Sequence, residues 1–466
     1  MPQEKIFQYN ADEIEHFLPA DNFKPSSGNI MLAIASLSKL IGGHRFSPAD
    51  TKRGLERLCS KTITASAPLT IICNIRRWAL QGLKDERLLS MLREGRLKAP
   101  DPPSHTELRM ASVSRSITAK HARCVLANAF IGNCIDIMAP YKDPWNAGGL
   151  DFGAMLRTNQ NKSSGIGLSK MECLLTYFDA CSSLEGNEDD NRRITFDLIR
   201  FVPLSAEYFA SNDSDNGGFV GLGFSLHTGT MEHTPRKTSA FVNFANPNYG
   251  YGKFISSCTQ EEILLMCCPE LIVGMLFIGK MDENEVVNVR GIRRFCKYSG
   301  YLDSFKCEGP LEAEGEPDVK TILTLDACYQ RHFTEAMLWR DLSKAYFSFL
   351  HLTREQHEEE GRPVVSTGKW GCGAFGGSVP HKLMQQAVAA RGAGVDIDFS
   401  SFGGYEGCDK IIKALHETKP SVAGVIGLLQ NCKDRNTFVE DAVHHLRNGK
   451  PRQGLISVLG NALGLV

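Results

Sequence analysis

From residue 194 onward the chain alternates between two textures, and that alternation constrains its fold more than any other feature. Strand-like runs rich in β-branched and aromatic residues occur at 194–202, 238–244, 285–291, 320–325, 363–367 and 395–399. Between several of them lie runs with helical spacing, at 261–266, 338–349, 381–390 and 408–417. Strands alternating with helices predict an α/β architecture, a mixed or parallel sheet covered on both faces, with any ligand at the carboxyl ends of the strands.

The first 190 residues have a different texture. Apolar residues recur every three or four positions (Leu32, Ile34, Leu37, Leu40, then Leu55, Leu58, then Ile71, Ile75, Leu80), and residues 119–130 and 170–182 repeat the pattern. A mostly helical region is expected there, broken at 98–106 by three prolines. The polar stretch 184–193 marks the boundary, giving residues 1–190 as a helical accessory region and 191–466 as the second unit.

Composition excludes some functions. Lys and Arg total 52 against 53 for Asp and Glu, so no bulk charge drives the chain toward nucleic acid or an anionic membrane, and neither is expected as a partner. The polar residues 1–10 carry no signal-peptide core, and the apolar run 263–279 is interrupted by Pro269 and Glu270. The 15 cysteines include no Cys-x-x-Cys pair, which suits packed, reduced thiols in an intracellular protein. No metal site or cofactor is assigned from sequence.

Two stretches carry chemistry. The first is Tyr249-Gly-Tyr-Gly-Lys-Phe-Ile-Ser-Ser-Cys-Thr-Gln-Glu-Glu262, directly after the strand-like Thr238-Ser-Ala-Phe-Val-Asn-Phe-Ala-Asn246. Glycine allows close approach of backbone to ligand, and neighbouring carboxylates supply acid/base chemistry at a sugar acetal. Residues Glu261 and Glu262 point about 100° apart on a helix, so they converge only from a loop or a first turn; residues 256–259 contain good N-cap types. The bland alternative is a carboxylate pair capping a surface helix.

The second stretch is Val364-Val-Ser-Thr-Gly-Lys-Trp-Gly-Cys-Gly-Ala-Phe-Gly-Gly377, five glycines between a strand and the helical run that follows. Such a loop turns backbone amides toward phosphate oxygens, although it also serves as a plain structural turn. A nucleophilic Cys372 on a strained elbow is a third use, with no histidine placed by sequence to activate it. Residues 312–318 and 358–360 read as solvated acidic loops, and 454–466 as an apolar last helix.

These stretches resemble the poly(ADP-ribose) glycohydrolases. That family has a Val-Asp-Phe-Ala-Asn strand end, a Gly-rich turn and a Gln-Glu-Glu cluster; the counterparts here are Val242-Asn-Phe-Ala-Asn246, Gly250-Tyr-Gly252 and Gln260-Glu-Glu262. The diphosphate loop of the family is similar to Trp370–Gly377, and Pro269-Glu-Leu-Ile272, Tyr298-Ser-Gly-Tyr301 and Leu126-Ala-Asn-Ala-Phe130 extend the likeness back to about Ala119.

The resemblance implies a macrodomain-like mixed sheet flanked by helices, with a helical N-terminal domain, acting as a glycoside hydrolase on the ribose–ribose bonds of poly(ADP-ribose) and releasing ADP-ribose. It implies catalytic roles for Glu262 as acid/base, Glu261 as holder of the sugar hydroxyls, and Asn243. It implies that Asn246 contacts the ribose beside the scissile bond, that Gly250, Gly252 and Gln260 also bind substrate, that Gly373, Ala374, Phe375 and Gly376 cradle the diphosphate, and that Tyr301 and Phe402 enclose the adenine. The implied partners are poly(ADP-ribose) and poly(ADP-ribosyl)ated proteins in nucleus or cytoplasm, and a role in the DNA damage response. The sequence departs from the family at Asn243, where the family has aspartate, and at Tyr251, in the middle of the glycine turn. An amide cannot carry the negative charge of an aspartate, so the alternative is a catalytically impaired ADP-ribose or poly(ADP-ribose) binder.

Overall fold

The computed structural model describes residues 6–25, 30–42, 47–60, 64–103, 109–134, 150, 152–156, 164–206, 208, 222–233, 237–250, 258–311, 319–355 and 361–449. The expectations for Tyr251, Gly252 and the segments 312–318, 358–360 and 454–466 lie outside these residues.

The N-terminal helices α1 (Ala11–Phe17), α2 (Ile30–Gly42), α3 (Pro48–Cys59), α4 (Pro68–Lys84) and α5 (Glu86–Arg93) follow the expected periodicity. Strand β1 (Met110–Thr118) then interrupts the region expected to be helical. Helices α6 (Ala119–Phe130) and α7 (Ser164–Leu184) follow as predicted, both deeply buried.

The central sheet has eight strands: β1, β2 (Arg193–Phe201), β3 (Phe224–His227), β4 (Ala240–Ala245), β5 (Glu285–Arg293), β8 (Val319–Asp326), β9 (Val364–Gly368) and β10 (Asp396–Ser400), in the order β1-β2-β5-β8-β4-β9-β10-β3. Pairing is antiparallel from β1 to β8 and parallel from β8 to β3. The hairpin β6 (Cys296–Ser299) and β7 (Lys306–Pro310) stands apart. The expected boundary at residue 190 falls between β1 and β2, which pair along their whole length.

The central strands are buried on both faces, as their continuous apolar sequences require. One core joins the N-terminal helices, α7 and α8 (Gln260–Cys267) to one side of the sheet. A second core forms with α9 (Glu335–Glu355), α10 (Val379–Ala393), α11 (Cys408–Thr418), α12 (Val422–Asn431) and α13 (Phe438–Asn448). No helix among the described residues is long and apolar enough to cross a membrane.

Candidate active site

Four parallel strands, β4, β8, β9 and β10, end at two adjoining cavities of about 290 Å³ and 450 Å³. The smaller is lined by Asn246, Glu261, Glu262, Ala327 and the loop from Lys369 to Phe375. The larger is lined by Thr230, Met231, Glu232, Tyr298, Val379, Phe402 and Arg435, and it shares Phe244, Gln260, Tyr301, Lys369 and Gly373 with its neighbour. The carboxyl-end location anticipated from strand–helix alternation is where the cavities open.

Glu261 and Glu262 occupy the first turn of α8, the one part of a helix from which neighbours converge. Thr259 caps the helix: its N–H donates to Glu262 Oε2 at 2.7 Å, and its hydroxyl donates to the same oxygen. The helix is not a surface one, since Glu261 and Glu262 are 4% and 3% exposed. Glu261 Oε2 accepts from the main-chain N–H of Asn246 at 3.0 Å. Burial first, then the charge of Glu262, holds the Glu261 carboxyl well above the usual carboxylate range.

Gln260 positions this turn. Its Oε1 accepts from the N–H of Phe244 at 2.8 Å and its Nε2 donates to the carbonyl of Val242 at 3.1 Å, so the side chain grips the backbone of β4. Asn246 Oδ1 accepts from the N–H of Asn248, shaping the turn that leads to Gly250. Gly250 has φ +73°, and a Cβ there would lie 2.9 Å from Met275, so both conformation and space demand glycine. Asn243 is not brought to the carboxylates' cavity. It is 3% exposed, its Nδ2 reaches Thr324 Oγ1 on β8 at 3.5 Å, and it lines neither cavity.

The glycine loop is held from below. Trp370 donates to the carbonyl of Leu325 at 3.0 Å, and Gln386 of α10 donates to the carbonyl of Gly368 at 3.2 Å. Gly371, with φ +71°, passes so close to Ala327 that a Cβ would lie 2.5 Å away. The N–H groups of Gly373, Ala374 and Phe375 donate to no acceptor among the described residues, leaving three backbone donors at the cavity edge. Gly376 lines neither cavity; its carbonyl accepts from Arg435 at 3.1 Å.

Beneath the loop lies a buried ion network. Asp326 pairs with Lys344 at 2.6 Å and with Arg340, and Asp341 pairs with Arg340 at 2.7 Å and with Lys382. Lys382 also sits over the Trp370 ring, 4.8 Å from its centroid. Burial pushes the Asp341 carboxyl up, but Lys382 and Arg340 outweigh it and hold it at about 2.

At the far end Tyr301 and Phe402 approach with ring centroids 5.5 Å apart, and Phe402 adopts φ +38°. Sequence reasoning missed several residues of this wall. Glu232 accepts from Tyr298 Oη at 2.9 Å, and its Oε1 is buried with no hydrogen-bond partner among the described residues. Arg435 of the same wall was missed too; the fully buried Lys170 of α7 lines neither cavity, and burial, the largest effect, lowers its pKa. Lys369 pairs with Glu406 at 2.5 Å and lines both cavities. Cys372 donates to the carbonyl of Trp370, and burial pushes its thiol up to about 12, which leaves no thiolate for nucleophilic attack near neutral pH.

A mixed α/β sheet with its cavities at the parallel strand ends, a glycine loop at one cavity and a carboxylate pair at the same one, is a macro-domain architecture. The family model described as Poly (ADP-ribose) glycohydrolase (PARG), Macro domain fold, matches residues 224–409. Poly(ADP-ribose) glycohydrolase 1 of Arabidopsis thaliana is 28% identical over 299 residues, covering 48% of this chain and 52% of the relative. Poly(ADP-ribose) glycohydrolase 1 of Caenorhabditis elegans is 31% identical over 219 residues, covering 41% of this chain and 27% of the relative. The chain thus spans about half the length, or less, of these curated relatives. A solved poly(ADP-ribose) glycohydrolase from Deinococcus radiodurans, in complex with ADP-ribose, is 17% identical, covering 47% of this chain and 94% of that one at a TM-score of 0.33.

Proposed function

We propose that the chain hydrolyses the ribose–ribose O-glycosidic bonds of poly(ADP-ribose) and releases ADP-ribose. The observation that carries this reading is the meeting of Glu261 and Glu262 with the three open amides of Gly373, Ala374 and Phe375 on one cavity. Acetal hydrolysis needs a proton donor at the leaving oxygen and a base for water, and a diphosphate needs donors. In this reading Glu262 protonates the departing ribose oxygen, Glu261 holds the sugar hydroxyls, and the C1 cation accepts water. Glu262, now ionised, takes the proton from that water.

The second cavity suits a nucleobase. Met231, Ile263, Phe244 and Val379 offer apolar contact, Tyr301 and Phe402 a stacking surface, and Glu232 Oε1 an acceptor for an amino group. The helical region before β1 acts as an accessory to the catalytic part. Substrate reaches the protein as polymer attached to modified proteins in nucleus or cytoplasm, and the reaction as proposed uses carboxylates alone.

The test is release of ADP-ribose from purified polymer by the wild type and by Glu262→Gln. Wild-type turnover that falls by roughly 100-fold or more in the variant is expected. Intact polymer with the wild type, alongside tight ADP-ribose binding, would replace the enzyme by a binder.

A further inference from the structure

Three cysteines distant in sequence converge: Cys173 on α7, Cys296 on β6 and Cys307 on β7 are buried, and their Sγ atoms all lie within 4.8 Å of one another. All three are free thiols. With sulfur about 2.3 Å from a metal, two ligating sulfurs sit roughly 4 Å apart, so this spacing suits thiolates around a common ion. Packing explains why each cysteine is buried. It does not explain why one helix and both strands of a hairpin each aim a sulfur at the same point.

A second cluster, Cys328, His332 and Asp341, shows the contrast. There Asp341 already pairs with Lys382 and Arg340 and accepts from the N–H of Cys328, so its charge is spent on protein cations and amides. The three sulfurs have other neighbours. Thr176 Oγ1 lies 3.9 Å from Cys307 Sγ, and Cys296 Sγ donates to the carbonyl of Cys173 at 3.3 Å. Arg294, whose Nε donates to the carbonyl of Cys296 at 3.2 Å, places a buried positive charge near a site that gains negative charge on deprotonation.

We propose that Cys173, Cys296 and Cys307 form a three-thiolate site for a thiophilic metal ion, Zn²⁺ or Cu⁺, that clasps α7 to the β6–β7 hairpin. Soft thiolate ligands select these ions over Mg²⁺ or Ca²⁺. Each thiol that ligates releases its proton to solvent, so affinity rises with pH. The clasp bears on the larger cavity, because β6 carries Tyr298 and the turn after it carries Tyr301. It does not depend on the proposed reaction. No Cys-x-x-Cys spacing announces it, since the ligands come from three separate elements.

The test uses the full chain, reduced and stripped with a chelator, then titrated with Co²⁺. Thiolate-to-cobalt absorption saturating at one ion per chain is expected, with displacement by Zn²⁺ or by Cu⁺ identifying the ion that holds the site more tightly. Cys296→Ser and Cys307→Ala should each weaken binding by at least roughly tenfold, whereas Cys181→Ser, a buried cysteine of α7 outside the trio, should not. Zn²⁺ or Cu⁺ should raise the Tm of the wild type and leave that of Cys296→Ser unchanged. Absence of a saturating band in the wild type overturns the proposal. So does an affinity equal to that of the wild type in either trio variant, or a disulfide within the trio in a non-reducing peptide map.

Discussion

The main-chain N–H of Asn246 donates to the carboxylate of Glu261 at 3.0 Å, tying the end of β4 to the first turn of α8 across fourteen intervening residues. That bond favours the ionised carboxylate. Burial and the neighbouring Glu262 oppose it and prevail, so Glu261 keeps its proton well above 4.5.

This balance sets a pH dependence of stability. The unfolded chain loses the Glu261 proton near 4.5 while the folded chain retains it, so the native state binds more protons in that window and stability falls as pH rises through it. Glu261→Gln removes the slope. It is expected to stabilise the protein near neutral pH by on the order of 1–3 kcal/mol, with the gain shrinking toward about pH 4. Urea midpoints of the two proteins that stay parallel from acid to neutral pH would contradict the assignment.

The loop amides permit a cleaner separation of binding from folding. A Cβ at Gly373 meets nothing within 4 Å in the protein itself. Gly373→Ala should therefore leave Tm within a degree or two, yet weaken ADP-ribose by roughly tenfold by crowding the diphosphate, about 1.4 kcal/mol. Calorimetric titration decides, and unchanged affinity would remove the loop from the ligand site.

Gly250 makes the opposite case. Its positive φ and the 2.9 Å approach to Met275 mean that Gly250→Ala strains the backbone before any ligand arrives. A loss of about 1–3 kcal/mol in denaturant unfolding is expected, together with reduced turnover as the chain leading to α8 shifts. A variant as stable as the wild type would show that the turn adopts another conformation.

Asp341→Asn leaves the fully buried Lys382 without its carboxylate, which should cost about 3–5 kcal/mol near neutral pH. The Asp341 carboxyl titrates at about 2 when folded, against an ordinary 3.8, so its contribution is present above 3.8 and is lost as pH falls toward 2. The gap between wild type and variant should close in that acid window; an unchanged gap would assign the stabilisation to packing.

Much of this arrangement was legible in the sequence because it is local. The strands that reach the cavities are apolar runs with turns at their carboxyl ends, and Thr259, Gln260, Glu261 and Glu262 form a capped helix start in four consecutive residues. Strand β1 was not anticipated. Ser112, Ser114 and Ser116 alternate with Val113, Arg115 and Ile117, a period-two pattern at a sheet edge where Ile117 alone is fully buried. Strand β3 has four half-buried residues and, among the described residues, pairs with β10 alone. Glu232 and Arg435 join the larger cavity from two separate segments, and nothing adjacent to them in sequence marks the partner each will meet. Gln260, expected at the ligand, lines both cavities while its amide grips β4.

Glu262 Oε2 is held by the N–H and hydroxyl of Thr259, three residues back along the same turn. The direction in which its carboxyl faces is therefore written into a tetrapeptide and not into the distant packing of the sheet. A sugar oxygen that approaches Oε2 competes with the helix's own cap, and one that approaches Oε1 finds a group already oriented. The stretch from Thr259 to Glu262 thus sets the facing of one carboxyl locally, while Gln260 and Glu261 fix where that turn stands against the end of β4.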